Sequence, residues 1–430
     1  MQNEYAKLLI DVQKKSNIIV TKSRDLRFLK EDIDETAQTS IGYNTLRRLY
    51  GFLKITQPSI STLNILAAYL GFKSYASYKF NIINYDEWYF QQNLQRIQST
   101  NKITDKDIEV IRVGLLNINN IVFYAYFFSY FIERYNITVL EELAKKIKLS
   151  SFSSNNNLKF ATIISLCLYR IEEKKTLKIY KKLIKYDDFR NNVPLLYVDY
   201  SNLNGIYAKV LTIVKQQSKK QDDLLFVSLM RFYWKYYSSK EYVQIKIEKP
   251  IDFDSFHPVL KGRFYAYLLL KTQKRDKKIE IEIIQYCIKK TNTHNIIWFL
   301  EEIIPTLISK KNFDFLTELI DEFYEDIFEI DRWSSKTGQA LSLIAMANLN
   351  IKKENMTMAE LNLSLVEIEK VELSYSSYVA LFYYQAKLKI THQNKAEIEN
   401  KKICTKLENL IEETGFTKFS QSVIDYTYIS

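Results

Sequence analysis

The chain has 430 residues, with only 8 Gly and 5 Pro against 32 Tyr, 25 Phe and 61 Lys plus Arg. Gly and Pro build tight turns and phosphate-cradling loops. At under a third of their average usage they leave little for a turn-rich β-sandwich, a Rossmann fingerprint or a P-loop, so helices joined by short polar turns are expected. Apolar residues at 47% and charged residues at 26% argue against disorder on the scale of a domain. The net charge of +11 favours a polyanionic partner, although the Lys, Ile, Asn and Tyr richness of an AT-rich genome would produce the same surplus.

At the N-terminus, Asp11 interrupts before any long apolar stretch, which speaks against a signal peptide. Cys167, Cys287 and Cys404 are far apart and odd in number, so no disulfide framework is implied and a cytoplasmic location fits best.

Residues 24 to 72 carry the most informative pattern. A helix over Arg24 to Ala37 leads through Gln38-Thr39-Ser40 into a second, about Ile41 to Leu53. A turn ending in Pro58-Ser59 opens a third, Thr62 to Leu70, stopped by Gly71. Ser40 and Ser59 are placed as N-caps and Gly71 as a left-handed C-cap. Short helices joined by a few polar residues, with another packed across them, have helix-turn-helix geometry. The string Ser40, Thr45-Leu46, Arg48, Gly51, Pro58-Ser59, Thr62-Leu63, Leu66-Ala67, Leu70-Gly71 resembles Cro and phage-repressor-type helix-turn-helix domains over about 50 residues. The resemblance implies that the helix starting near Ile41 enters the major groove of double-stranded DNA.

Charge supports the same region independently. From Thr36 to Tyr85 there is no carboxylate, while Arg47, Arg48, Lys54, Lys73 and Lys79 all fall there. Leu46, Leu49 and Leu53 share the apolar side of the second helix, so Tyr43, Asn44, Arg47 and Arg48 are expected to face outward. Arg reads guanine and Asn reads adenine by paired hydrogen bonds. Asn44 and Arg47 are therefore assigned to base edges, and Tyr43, Arg48 and Lys54 to phosphate. The preceding helix carries the acidic residues Glu31, Asp32, Asp34 and Glu35.

Further on, Ile121 to Ile132 is a Phe/Tyr-rich run closed by Glu133 and Arg134. It is shorter than the roughly 20 apolar residues needed to span a bilayer and reads as a buried core helix. Helical periodicity continues through Leu140–Leu149 and Leu177–Ile184, separated by a polar loop at Ser150–Asn157. Helical hairpins are expected at roughly 258–291, 294–329, 333–371 and 374–413, with starts about 36 to 41 residues apart. That spacing is typical of helical repeats. The third unit, Gly338 to Ala347, the turn Asn350–Asn355 and Met358 to Leu361, resembles a degenerate tetratricopeptide repeat.

His257, His294 and His392 are isolated, and no nucleophile motif or Cys/His cluster appears. No catalytic residue, cofactor or metal is assigned. The adjacent acidic pairs Asp187-Asp188, Asp222-Asp223 and Glu301-Glu302 read as solvated faces. The aromatic runs Phe123–Phe128, Phe232–Tyr237 and Tyr375–Tyr384 read as helix-packing core with hydroxyls reaching the surface.

The expected architecture is all-α: a helix-turn-helix DNA-binding domain over 1–90, a helical middle region over 91–255, and hairpin repeats forming a tetratricopeptide-like solenoid over 256–430. The expected function is that of a non-enzymatic, DNA-binding transcriptional regulator. Its repeats would hold a peptide or protein ligand and support a homodimer, with no membrane partner. The alternative is a protein-interaction scaffold whose N-terminal module contacts protein.

Overall fold

A computed structural model describes residues 5–54, 56–100, 102–239, 245–272, 274–289, 293–328 and 336–427; for 80–86, 293–295 and 425–427 it describes the backbone alone. The fold is all-α, with no strand among the described residues. No single helix among them is long and apolar enough to cross a membrane. The chain divides into two compact units, Met1–Thr100 with Asp105–Asn120, and Asn101–Thr104 with Ile121–Ser430.

The first unit contains α1 (Ala6–Ser16), α2 (Asp25–Ala37), α3 (Tyr43–Leu49), α4 (Ile60–Tyr69), α5 (Tyr75–Thr100) and α6 (Asp105–Gly114). Apolar residues three and four apart put Leu8 and Val12 of α1, Leu26, Leu29 and Ile33 of α2, Leu46 of α3, and Leu66 and Ala67 of α4 into one water-free core. Two helix ends there are set by glycine. Gly51 (φ 78°) and Gly71 (φ 93°) are left-handed. The following amides fold back, Phe52 N–H to Arg47 O at 2.8 Å and Phe72 N–H to Ala67 O at 3.0 Å, which is the Schellman arrangement.

Gly51 therefore stops α3 at Leu49, and the helix expected to reach Leu53 is shorter by four residues. Its start also differs. Ser40 is not the N-cap; Gly42 holds that position. The reason is Asp34, whose carboxylate accepts the Ile41 N–H at 2.8 Å and the Ser40 hydroxyl at 3.1 Å. That carboxylate ties the turn to α2 for two residues before the chain becomes helical. Ser59 does cap α4, accepting the Thr62 N–H at 3.2 Å.

The second unit opens with α7 (Ile121–Glu133), α8 (Ile137–Lys146), α9 (Ser154–Arg170), α10 (Glu173–Leu183), α11 (Asp187–Asn192), α12 (Ile206–Gln217) and α13 (Gln221–Ser238). α7 is the core helix its composition suggested, with Tyr124, Phe127, Phe128, Phe131 and Ile132 all buried. The four expected hairpins follow: α14 (Pro258–Lys271) with α15 (Lys277–Ile288), α16 (Thr293–Lys310) with α17 (Phe313–Glu322), α19 (Lys336–Lys352) with α20 (Met356–Ser364), and α21 (Ser376–Gln393) with α22 (Glu397–Thr414). A short α18 (Tyr324–Phe328) and a final α23 (Ser420–Thr427) lie outside this pairing. α14 and α16 pack so closely that a Cβ at Gly262 would lie 2.5 Å from the Phe299 carbonyl oxygen.

One turn geometry recurs in this unit. Tyr135, Lys311, Glu354 and Lys395 have φ of 55°, 54°, 56° and 55°. The next residue then sits at the helix N-cap with nearly the same dihedrals each time: Asn136, Asn312, Asn355 and Ala396. The three asparagines accept the N–H of Val139, Phe315 and Met358 through Oδ1. The hairpin α7/α8 thus shares its turn with three hairpins of the C-terminal half.

Burial corrects two expectations. The acidic pairs are not uniformly solvated: Asp223 is ion-paired to Arg190 at 2.6 Å and Glu302 to Arg263 at 2.8 Å, all four side chains being buried. Asp188 accepts the backbone N–H of Leu149 and of Ser150. Adjacent helical residues point about 100° apart, so one acid of a pair can face inward while its neighbour meets water. Nor do the tyrosine hydroxyls all reach the surface. Tyr233 Oη donates to Arg263 O at 3.0 Å, and Tyr237 and Tyr378 hydroxyls meet at 3.0 Å in the interior. Tyr200 stacks on Tyr378 at 4.4 Å, and its N–H donates to Ser374 O. The segment carrying it thereby packs against α21 beside the Arg263–Glu302 pair.

Candidate nucleic-acid interface

α3 and its surroundings hold the residues assigned to DNA. Asn44 and Arg48 are exposed, while Tyr43 and Arg47 are half-buried. Tyr43, Asn44 and Arg47 form one cluster. The Tyr43 hydroxyl donates to Ser23 O at 2.9 Å. The Arg47 guanidinium lies 5.8 Å from the Tyr43 ring centroid, and its Nη1 is 3.4 Å from Asn44 Oδ1. The Ser23 hydrogen bond first, and then the nearby Arg27 and Arg47 cations, hold the Tyr43 phenol below its ordinary pKa.

Arg48, one residue further on, projects about 100° away. Lys54 is exposed but lies beyond the end of α3, because Gly51 terminates the helix. It extends the basic surface from a loop rather than from the helix face.

The structure adds two residues that the sequence argument missed. Arg27 of α2 stands 5.9 Å from the Tyr43 ring centroid, and the exposed Arg24 is one turn before it. Both lie outside the acid-free stretch, and their neighbours Asp25, Glu31 and Asp32 conceal them in a linear reading of charge. The three-residue spacing of Arg24 and Arg27, matching a helix face, is the signal that could have found them.

The acids of α2 are largely committed elsewhere. Asp34 forms an ion pair with Lys30 and holds the turn before α3. Asp32 accepts the Tyr69 hydroxyl. Asp25 accepts the N–H of Lys22 and of Thr21, at 2.7 and 3.0 Å, closing the loop before its own helix. Glu31 and Glu35 remain exposed. Two arginines at one tyrosine, with Arg24 exposed at the start of α2 and Arg48 exposed on α3, can neutralise phosphates and present planar donors to base edges.

No three His, Cys, Asp or Glu side chains among the described residues converge as a metal site would need. The three cysteines are buried free thiols. His257 accepts the Val259 N–H through Nδ1 at 3.3 Å, capping α14, and the His294 side chain lies outside the described residues. No family model, no curated protein and no solved structure matches this chain.

Proposed function

We propose that the protein is a DNA-binding transcriptional regulator. Residues 24–72 act as a helix-turn-helix module on double-stranded DNA, and the helical hairpins act as a sensor and dimerisation region for a peptide or protein ligand. The observation that carries this reading is that Arg27 and Arg47 share the Tyr43 ring, with Arg24 exposed at the start of α2 and Arg48 exposed on α3, while Asp32 and Asp34 are already bonded within the unit. Asn44 and Arg47 supply base-edge donors and Arg48 and Lys54 meet phosphate, while Tyr43, expected at phosphate, has its hydroxyl donating to Ser23 O and sits beside Arg27 and Arg47. In a homodimer, two such modules would engage half-sites about 34–36 Å apart, and a ligand on the hairpins would alter that spacing.

The test is a mobility shift of the full chain on duplex DNA at rising salt. Binding should weaken steeply with salt, by about 0.9 in log–log slope for each neutralised phosphate. Arg47→Ala/Arg48→Ala should lower affinity at least tenfold and reduce that slope. Unchanged binding in the double variant removes the site assignment.

A second reading is favoured by a separate observation. Phe28, Ile19 and Ile60 in the same unit are 64%, 79% and 74% exposed, which suits a module that contacts protein. A scaffold of that kind gives no shift with random duplex at low salt.

A further inference from the structure

α12 and α13 form a hairpin in the second unit, and beside it lies a cavity of about 460 Å³, within the size range of small-molecule sites. Its accessible apolar side is formed by Ala208, Trp234 and Ile245, with Leu211 and Met230 packed behind them. Three cations line it: Lys215 from α12, and Arg231 and Lys235 one turn apart on α13. None of its described lining residues is acidic. No carboxylate pairs with these three cations among the described residues, although Lys209 and Lys220 close by in sequence are both ion-paired.

The arrangement is oriented from within. Arg231 Nη2 donates to Thr212 Oγ1 at 3.2 Å, and that hydroxyl donates onward to Ala208 O at 2.9 Å. The guanidinium is thereby aimed while most of its five N–H donors stay uncommitted. Trp234, between Arg231 and Lys235 in sequence, donates its indole N–H to Asn204 Oδ1 at 2.9 Å. That bond pins a flat apolar ring in the wall.

We infer that this groove binds a small phosphorylated organic molecule with a flat apolar body, of the size of a nucleoside monophosphate. Three cations in one mouth, none ion-paired among the described residues, match a phosphate, which carries close to two negative charges, better than a single carboxylate. Ala208, Trp234 and Ile245 offer the remaining surface to an apolar or aromatic body. The site lies wholly within the second unit and does not depend on the DNA reading.

Isothermal titration of the full chain with AMP, GMP, CMP and UMP tests the proposal, with inorganic phosphate and adenosine as comparison probes. At least one nucleotide should bind saturably at one site per chain, more tightly than either comparison probe and more weakly at high salt. Arg231→Met should weaken it at least tenfold. Lys235→Gln, at an exposed position, should weaken it severalfold without altering the thermal melt. Ala208→Phe, which fills the groove and keeps every charge, should also abolish binding. Absence of nucleotide binding, equal binding of phosphate or adenosine, equal affinity in the Lys235 and Arg231 variants, or tighter binding of a short acidic peptide would each overturn it.

Discussion

Asp34 belongs to an acidic run that, read as charge alone, opposes a DNA-facing surface. In the folded unit it has another task, since it accepts the Ile41 N–H and the Ser40 hydroxyl and pairs with Lys30. Burial tends to raise its pKa, but Lys30, the Ile41 N–H and Ser40 together stabilise the anion and hold the carboxyl below its ordinary 3.8. A carboxyl depressed in the folded state contributes stability at pH above its unfolded value, and that contribution is lost as pH falls through the folded value. The melting temperature of the first unit should therefore drop as pH falls below about 4. Asp34→Asn keeps an acceptor for Ile41 but removes the charge, so its melting temperature should fall less over that range. Circular dichroism melts between about pH 3 and 6 decide this; equal pH dependence in both proteins would remove Asp34 as the cause. Arg27 shows the converse limit, because only the packing of α2 on α3 reveals that it shares Tyr43 with Arg47.

At the scale of elements, hairpin positions were legible and their turns were not. Apolar spacing located four hairpins in the last 175 or so residues because each must bury one stripe against its neighbours. The left-handed residue followed by an asparagine cap was not read from the sequence. The left-handed position is filled by Tyr135, Lys311, Glu354 and Lys395, which share no residue type. Removing a side-chain cap costs about 1 kcal/mol. Asn312→Ala and Asn355→Ala should each lower stability by about that amount in urea unfolding. Ala396 already lacks a capping side chain, so Ala396→Asn should raise stability by a comparable or smaller amount. α3 illustrates the same limit in the other unit: periodicity ran past Gly51 to Leu53, and the left-handed glycine stopped the helix four residues earlier.

At the scale of the whole molecule, the buried Arg263–Glu302 pair joins α14 and α16 beside Tyr233 of α13 and Tyr375, the residue before α21. Removing one charge from such a pair leaves the other buried and uncompensated, at a cost of about 3–5 kcal/mol. Glu302→Gln should therefore lower the unfolding midpoint of the second unit by more than either asparagine-cap variant. Arg263→Met/Glu302→Met, which removes both charges, should recover part of that loss. A double variant no more stable than Glu302→Gln would show that packing, and not the uncompensated charge, dominates there.

The sequence by itself determined the all-helical class, the placement of the hairpins and the acid-free stretch carrying Arg47 and Arg48. Those features depend on local backbone preference and on side chains within a turn or two of one another. Tertiary structure alone decided that Asp223 and Glu302 are buried, that tyrosine hydroxyls bond inside the second unit, and that Arg27 joins the α3 cluster. It also decided that Lys215, Arg231 and Lys235 line one cavity. Each of these depends on which helix faces pack together, and the burial of a charge or hydroxyl is set by its partner across that packing, not by its neighbours along the chain.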